Sequence, residues 1–288
     1  MAVSAWLSEA VAVRASGPLR PYVREYHGYR QRGATPAQHL GMPSPYLTVI
    51  FTLDEPLKVV RHADPRQSPG VYTAMIGGLH SCPALVAHDG AQSGIQLQMS
   101  PLAARPLTGM PAGELASLDA QAEEILGPLA TQVYERVRAA EDWPARFAVL
   151  DQLLGQALEV DRAVPAEVAR AWALLLSSGG TRPIRDVACD VGWSQRHLSA
   201  QFTREIGLGP KMAARVIRFH RARHVLQRNV GAGRPNVAGV AAECGYFDQA
   251  HLVRDWQQFT GLAPTDWIAH EFRNFQVTGV EDPTSLLA

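Results

Sequence analysis

Polar side chains that could do recognition chemistry cluster in two stretches of this 288-residue chain: Gln195, Arg196, Ser199 and Thr203 in one, Gln249, His251, Arg254 and Gln257 in the other. These residue types can address the edges of nucleic-acid bases. A guanidinium forks onto guanine O6 and N7, a glutamine amide onto adenine, and a small hydroxyl residue supplies one hydrogen bond or a methyl contact. Helical geometry separates them from the core in both stretches. With Leu198 and Phe202 inward, Arg196, Ser199, Ala200 and Thr203 point outward and Gln195 lies near the helix start. With Leu252 and Trp256 inward, Gln249, Ala250, Val253, Arg254 and Gln257 point outward and His251 sits toward their edge.

A second set of candidate residues lies before residue 100. His27, His39, His62, His80 and His88 fall there, but no pair has the tight H-x-H spacing of a metal site, and no metal or cofactor is expected. Cys82, beside Pro83 and two residues from His80, reads as a packed side chain rather than a nucleophile. No glycine-rich phosphate loop, nucleophile elbow or paired-carboxylate motif stands out. By alternation along apolar runs, Tyr46, Tyr72, His80 and Gln96 are candidates to line a pocket for a small molecule.

The elements that must position these groups divide the chain in two. Turn-rich sequence alternates with short apolar runs up to Ser100, and Tyr46–Leu53, Leu57–His62, Val71–Ile76 and Ile95–Met99 read as strands. This predicts a small β-rich sandwich or barrel. From about Pro111 the period becomes helical: Leu115, Leu118, Ala122, Ile125, Leu126 and Leu129 form an apolar stripe. A further helix is expected over Trp143–Leu158. That stripe and this helix either pack on the β-rich part or pair with a second subunit. Beyond Pro165 the pattern is almost wholly helical. The fold class is therefore α+β, with a β-rich part carrying appended helices over 1–163, an all-α part over 164–275 and a tail over 276–288.

Composition agrees with a globular protein. Hydrophobic residues make up 47% and charged residues 19%, with zero net charge. The distribution is uneven: residues 1–163 carry 13 basic against 16 acidic side chains, and 182–273 carry 13 against 8. A basic segment in a neutral chain suggests a surface for a polyanion. Cys82, Cys189 and Cys244 form no disulfide framework, no apolar run approaches the ~20 residues of a membrane helix, and the start lacks the marks of a signal peptide. Together these point to a reduced, cytoplasmic protein with no membrane partner.

An internal repeat dominates the helical part. DVACDVGWSQRHLSAQFTREIGLGP (186–210) and VAAECGYFDQAHLVRDWQQFTGLAP (240–264) align with Ala188 on Ala241 and Gly192 on Gly245. Leu198, Phe202, Gly207 and Pro210 then match Leu252, Trp256, Gly261 and Pro264, and only the turn differs, by one residue. Each copy reads as a helix-turn-helix. In the first, Gly192 ends one helix, Ser194 caps the next, Gly207 stops it and Pro210 starts another. Lys211–Gln227 reads as one long amphipathic helix between the copies, carrying Arg221 and, suited either to phosphate contacts or to internal ion pairs, Lys211, Arg215, Arg218 and Arg223.

Two such units joined by a long helix resemble the AraC family of transcription regulators. Gly245–Pro264 (GYFDQAHL…FTGLAP) is close to that family's second motif, and the likeness covers roughly Pro165–Arg273. The resemblance implies double-stranded DNA as partner, read in two successive major grooves. It also implies RNA polymerase as a second partner of an activator, a small-molecule effector on the N-terminal half, and homodimerisation through that half. An enzyme fused to a similar DNA-binding domain, as in DNA-repair methyltransferases, is the alternative. It would need cysteine in a Pro-Cys-His-Arg context, whereas Cys82 lies in His-Ser-Cys-Pro. A third reading, a module that senses nothing, would be favoured by an N-terminal half without a pocket.

Overall fold

The structure, a computed structural model, describes residues 7–269. The expected tail at 276–288, and the end of the helical unit from residue 270, lie outside the described residues. In the N-terminal half the strands are β1 (Leu7–Val13), β2 (Val23–Arg32), β3 (Ala37–Gly41), β4 (Leu47–Thr52), β5 (Leu57–Arg61), β6 (Gly70–Tyr72), β7 (Ala74–Gly77), β8 (Ala84–His88), β9 (Gln92–Met99) and β10 (Asp119–Gln121). They form two antiparallel sheets, ordered β1-β2-β9-β4-β7-β10 and β3-β8-β5-β6. The sheets face one another without closing, so the sandwich alternative holds over the barrel.

Period-two alternation explains how the larger sheet works. On β9, Ser93, Ile95, Leu97 and Met99 are buried on one face while Gln92, Gln96 and Gln98 line a cavity on the other. On β2, Tyr26 and Gly28 turn to the first face and His27, Tyr29 and Gln31 to the cavity. Helices cover the first face: α1 (Ala104–Thr108), α2 (Ala122–Leu126), α3 (Pro128–Ala139) and α4 (Trp143–Ala157). Asp142 caps α4 through Ala145 N at 2.8 Å, and Tyr26 stacks on Phe147. Gly28 lets α4 approach, since a Cβ there would lie 2.5 Å from the Trp143 ring. Each fully buried leucine or phenylalanine in this layer contributes about 1.5–3 kcal/mol.

Two expectations are corrected. Val71–Ile76 is not one strand: the chain changes sheets at Thr73, with β6 in the smaller sheet and β7 in the larger. Thr73 O accepts from both Thr52 N (3.0 Å) and Thr52 Oγ1 (2.9 Å), which pins the crossing. Nor is the Leu115–Leu129 stripe one helix. Leu115 ends a 3-10 turn (Ala112–Leu115), Ser117 has φ +62°, and β10 pairs with β7 before α2 begins. Gly127 (φ +56°) and Pro128 then separate α2 from α3. The free edge of β7 offered a ladder that outweighed a helical period.

The helical half comprises α5 (Ala166–Ser177), α6 (Ile184–Asp190), α7 (Gln195–Ile206), α8 (Pro210–Gly231), α9 (Val237–Glu243) and α10 (Gln249–Thr260). The pairs α6–α7 and α9–α10 are the two repeats, and α8 is the connecting helix, about a turn longer than expected at its C-terminal end. One apolar cluster runs from the larger sheet through α3, α4 and α5 to Phe202, Phe219 and Trp256. The halves also meet through polar contacts: Arg105 of α1 forks onto fully buried Glu205 of α7 at 2.5 and 2.9 Å. Beside it Gly113 abuts the α7 backbone, where a Cβ would lie 2.2 Å from Arg204 O.

Candidate functional site

The first surface is built by helix starts. Gly192 (φ +73°) ends α6, and Ser194 Oγ accepts from His197 N at 3.2 Å to begin α7. Gly245 (φ +73°) ends α9, and Asp248 Oδ1 accepts from His251 N at 2.7 Å to begin α10. Leu198, Phe202, Leu252 and Trp256 are fully buried, as the repeat requires. On the opposite faces Gln195, Arg196, Ser199, Thr203, Gln249, Arg254 and Gln257 are all exposed. Their side chains hold no ion pair among the described residues. His251 differs, being half-buried with its ring edge-on to Tyr246 at 5.2 Å.

The arginines of α8, left open between phosphate contact and internal pairing, are largely internal. Arg215 donates to Asp255 Oδ1 at 2.7 Å and to Gln258 Oε1 at 2.5 Å, and lies over the Phe259 ring. Arg218 donates to Gly245 O at 3.3 Å and lies over Tyr246. Both therefore clamp the second repeat onto α8. Arg223 is buried toward the N-terminal half, while Lys211 and Arg221 are exposed.

The second site is a cavity of about 460 Å³ between the two sheets. This lies within the range of small-molecule pockets. Of the expected lining residues, Tyr46, His80 and Gln96 are on its wall. Tyr72 is not: it belongs to a small cluster with Ile50, Val59, Met75 and Val86, its hydroxyl 3.4 Å from His62 Nε2. Sequence reasoning missed Gln31, Gln98, Asp119 and the contributions of α8, His220 and Arg223. The polar alternation of His27, Tyr29 and Gln31, and of Gln92, Gln96 and Gln98, was the available signal. Nothing in the sequence placed α8 there.

Burial sets the ionisation of the cavity imidazoles by disfavouring the charged form. It pushes His39 down to about 4, helped by His88 beside it, and lowers His80 and His88 as well. His220 is held well below its usual value by burial, then by Arg223 and His224. Tyr46 joins the halves here. Its ring meets His220 edge-on at 5.7 Å, and its hydroxyl accepts from Arg24 at 2.5 Å. Among the described residues no three His, Cys, Asp or Glu side chains converge as a metal set.

The helix-turn-helix domain family matches residues 187–270. No curated protein matches the chain in sequence. Among solved structures, ToxT from Vibrio cholerae O395 is similar at a TM-score of 0.50 and 10% identity, over 96% of this chain and 99% of that one. A second ToxT crystal form from Vibrio cholerae gives 0.49 at 9% identity, over 92% and 98%. Unsaturated fatty acid bound ToxT from strain SCE256 gives 0.47 at 11%, over 96% of each. At these identities the likeness is one of fold.

Proposed function

We propose, because residues 187–270 match the helix-turn-helix domain family, that the chain is an AraC-type, sequence-specific DNA-binding transcription regulator whose N-terminal half senses a small molecule. The carrying observation is the pair of capped helices, α7 and α10, that present exposed Arg196 and Arg254 on a scaffold braced by α8. Recognition helices set their N-terminal outward residues against base edges in the major groove. Gln195, Arg196, Ser199 and Thr203 read one half-site, and Gln249, His251, Arg254 and Gln257 the other. His251, half-buried against Tyr246, reaches only the edge of that surface. The two modules enter successive major grooves, roughly 10 base pairs apart, and their outward residues differ, so the half-sites differ in sequence.

The effector binds in the inter-sheet cavity, with Tyr46, His80 and Gln96 on its wall and His220 and Arg223 of α8 carrying its presence to the DNA-reading half. Residues 1–163 also supply the homodimer contact, RNA polymerase is the further partner, and the protein acts in the cytoplasm. Enzymatic activity is not part of this reading, and no observation favours the repair-enzyme alternative.

Selection of random DNA by the purified protein at near-physiological salt tests it. The expected result is a shared motif with two unlike half-sites about one turn apart. Arg196→Ala and Arg254→Ala should each relax a different half, with a loss of about 1–3 kcal/mol of discrimination per base contact. A selection that yields no shared motif overturns the proposal.

A further inference from the structure

Resting on the reading of the inter-sheet cavity as the effector site, we propose that it selects a small organic cation, seating a protonated amine on Asp119 Oδ1. Asp119 is held firmly. Its N–H donates to Gln67 Oε1 at 3.1 Å, its carbonyl accepts from Gln67 Nε2, and its Oδ2 lies 2.6 Å from His62 Nδ1. The other carboxylate oxygen, Oδ1, takes no hydrogen bond among the described residues, although the side chain is only 14% exposed and stands on the cavity wall. Gly77 makes its room: a Cβ there would come within 2.6 Å of Oδ1. A carboxylate oxygen on the wall of a hollow, with no donor from the described residues, has room for one, and a cationic N–H is its strongest partner.

The surroundings are rich in acceptors and poor in cations. His80 Nδ1 lies 2.5 Å from Cys82 O, and since a carbonyl only accepts, that nitrogen carries the proton. The neutral ring therefore offers Nε2 as an acceptor. Asp119 acts electrostatically on His80, which places the two in one neighbourhood. Gln96 and Gln98 present amide groups from β9, Gln98 more than nine-tenths buried, and neither side chain has a hydrogen-bond partner among the described residues. Among the described residues the N-terminal half contributes no lysine or arginine to the wall, and the arginine on it, Arg223, comes from α8. An ammonium group fits the Asp119 region, whereas an acid would have to find Arg223.

Matched fragments decide between them: phenethylamine, phenethyl alcohol and phenylacetate titrated calorimetrically into the full-length protein at pH 7. We expect the amine to bind at least tenfold tighter than the alcohol, with the acid weakest. Asp119→Asn should erase that preference, and the ranking on the unaltered protein stands even if this variant folds poorly. An alcohol or acid that binds as tightly as the amine overturns the cation inference while leaving the cavity as the effector site. Gln96→Trp, which fills the cavity, separates the two claims. If binding of the fragments survives it, or if no fragment of any charge binds, the effector-site reading itself is overturned.

Discussion

Arg215 and Arg254 carry the same charge, yet the structure assigns them opposite work. Arg254 is exposed on α10 and pairs with nothing among the described residues, whereas Arg215 is spent on Asp255, whose side chain is 3% exposed. Removing one partner of a buried ion pair strands the other, at a cost of about 3–5 kcal/mol. Arg215→Ala should therefore lower the melting temperature markedly. Lys211→Ala, on an exposed residue of the same helix, should leave it nearly unchanged. An unaltered melting temperature for Arg215→Ala would return that residue to the phosphate-contact class. Sequence alone left this choice open, because both roles ask for a basic side chain on an amphipathic helix.

At the scale of the element, both reading helices begin in the same way although their cap residues differ. Ser194 and Asp248 each accept from the backbone N–H three residues on, satisfying a donor that a helix start otherwise leaves orphaned. Ser194→Ala and Asp248→Ala should each cost about 1 kcal/mol of stability by chemical denaturation. Since the cap lies beside Gln195 and Gln249, each should also weaken one half-site in DNA-binding titrations more than the other. These helices were legible in the sequence because glycine stops, caps and apolar spacing all act locally. Strands were harder. β1, β3 and β8 are short or half-buried, and β10 was hidden inside an apolar stripe of helical period.

For the molecule as a whole, the docking of the halves is the feature with the largest consequence. Burial alone would raise Glu205, but the Arg105 hydrogen bonds and charge, joined by Arg204, hold it below the usual carboxylate range. A lowered folded value means the ionised form is favoured by the docked state. Its contribution is thus complete above the unfolded value of about 4.3 and is lost as pH falls through the lower folded value. Small-angle scattering should show the halves separating only as the pH falls below the usual glutamate range. Glu205→Gln should expand already at neutral pH and lack that acid step. Gly113→Ala, which drives a methyl into Arg204 O, should mimic it without changing any charge. Identical scattering for all three proteins would remove this contact from the account of docking.

The helical half is legible along the chain: its repeat, its caps and glycine stops, its inward pairs Leu198–Phe202 and Leu252–Trp256, and the outward residues opposite them. Those features depend on neighbours three or four positions away, and such periods can be read along a single chain. The tertiary structure alone decided the rest. It brought Asp119 beside His62, 57 residues apart, set Arg105 on Glu205, 100 residues apart, and turned His220 and Arg223 of α8 into the wall of a cavity made by strands. It also moved Tyr72 out of that wall, because the chain changes sheets one residue later. Pairings between distant segments follow from which edges and faces are left free after the local elements form, and no local period records that choice.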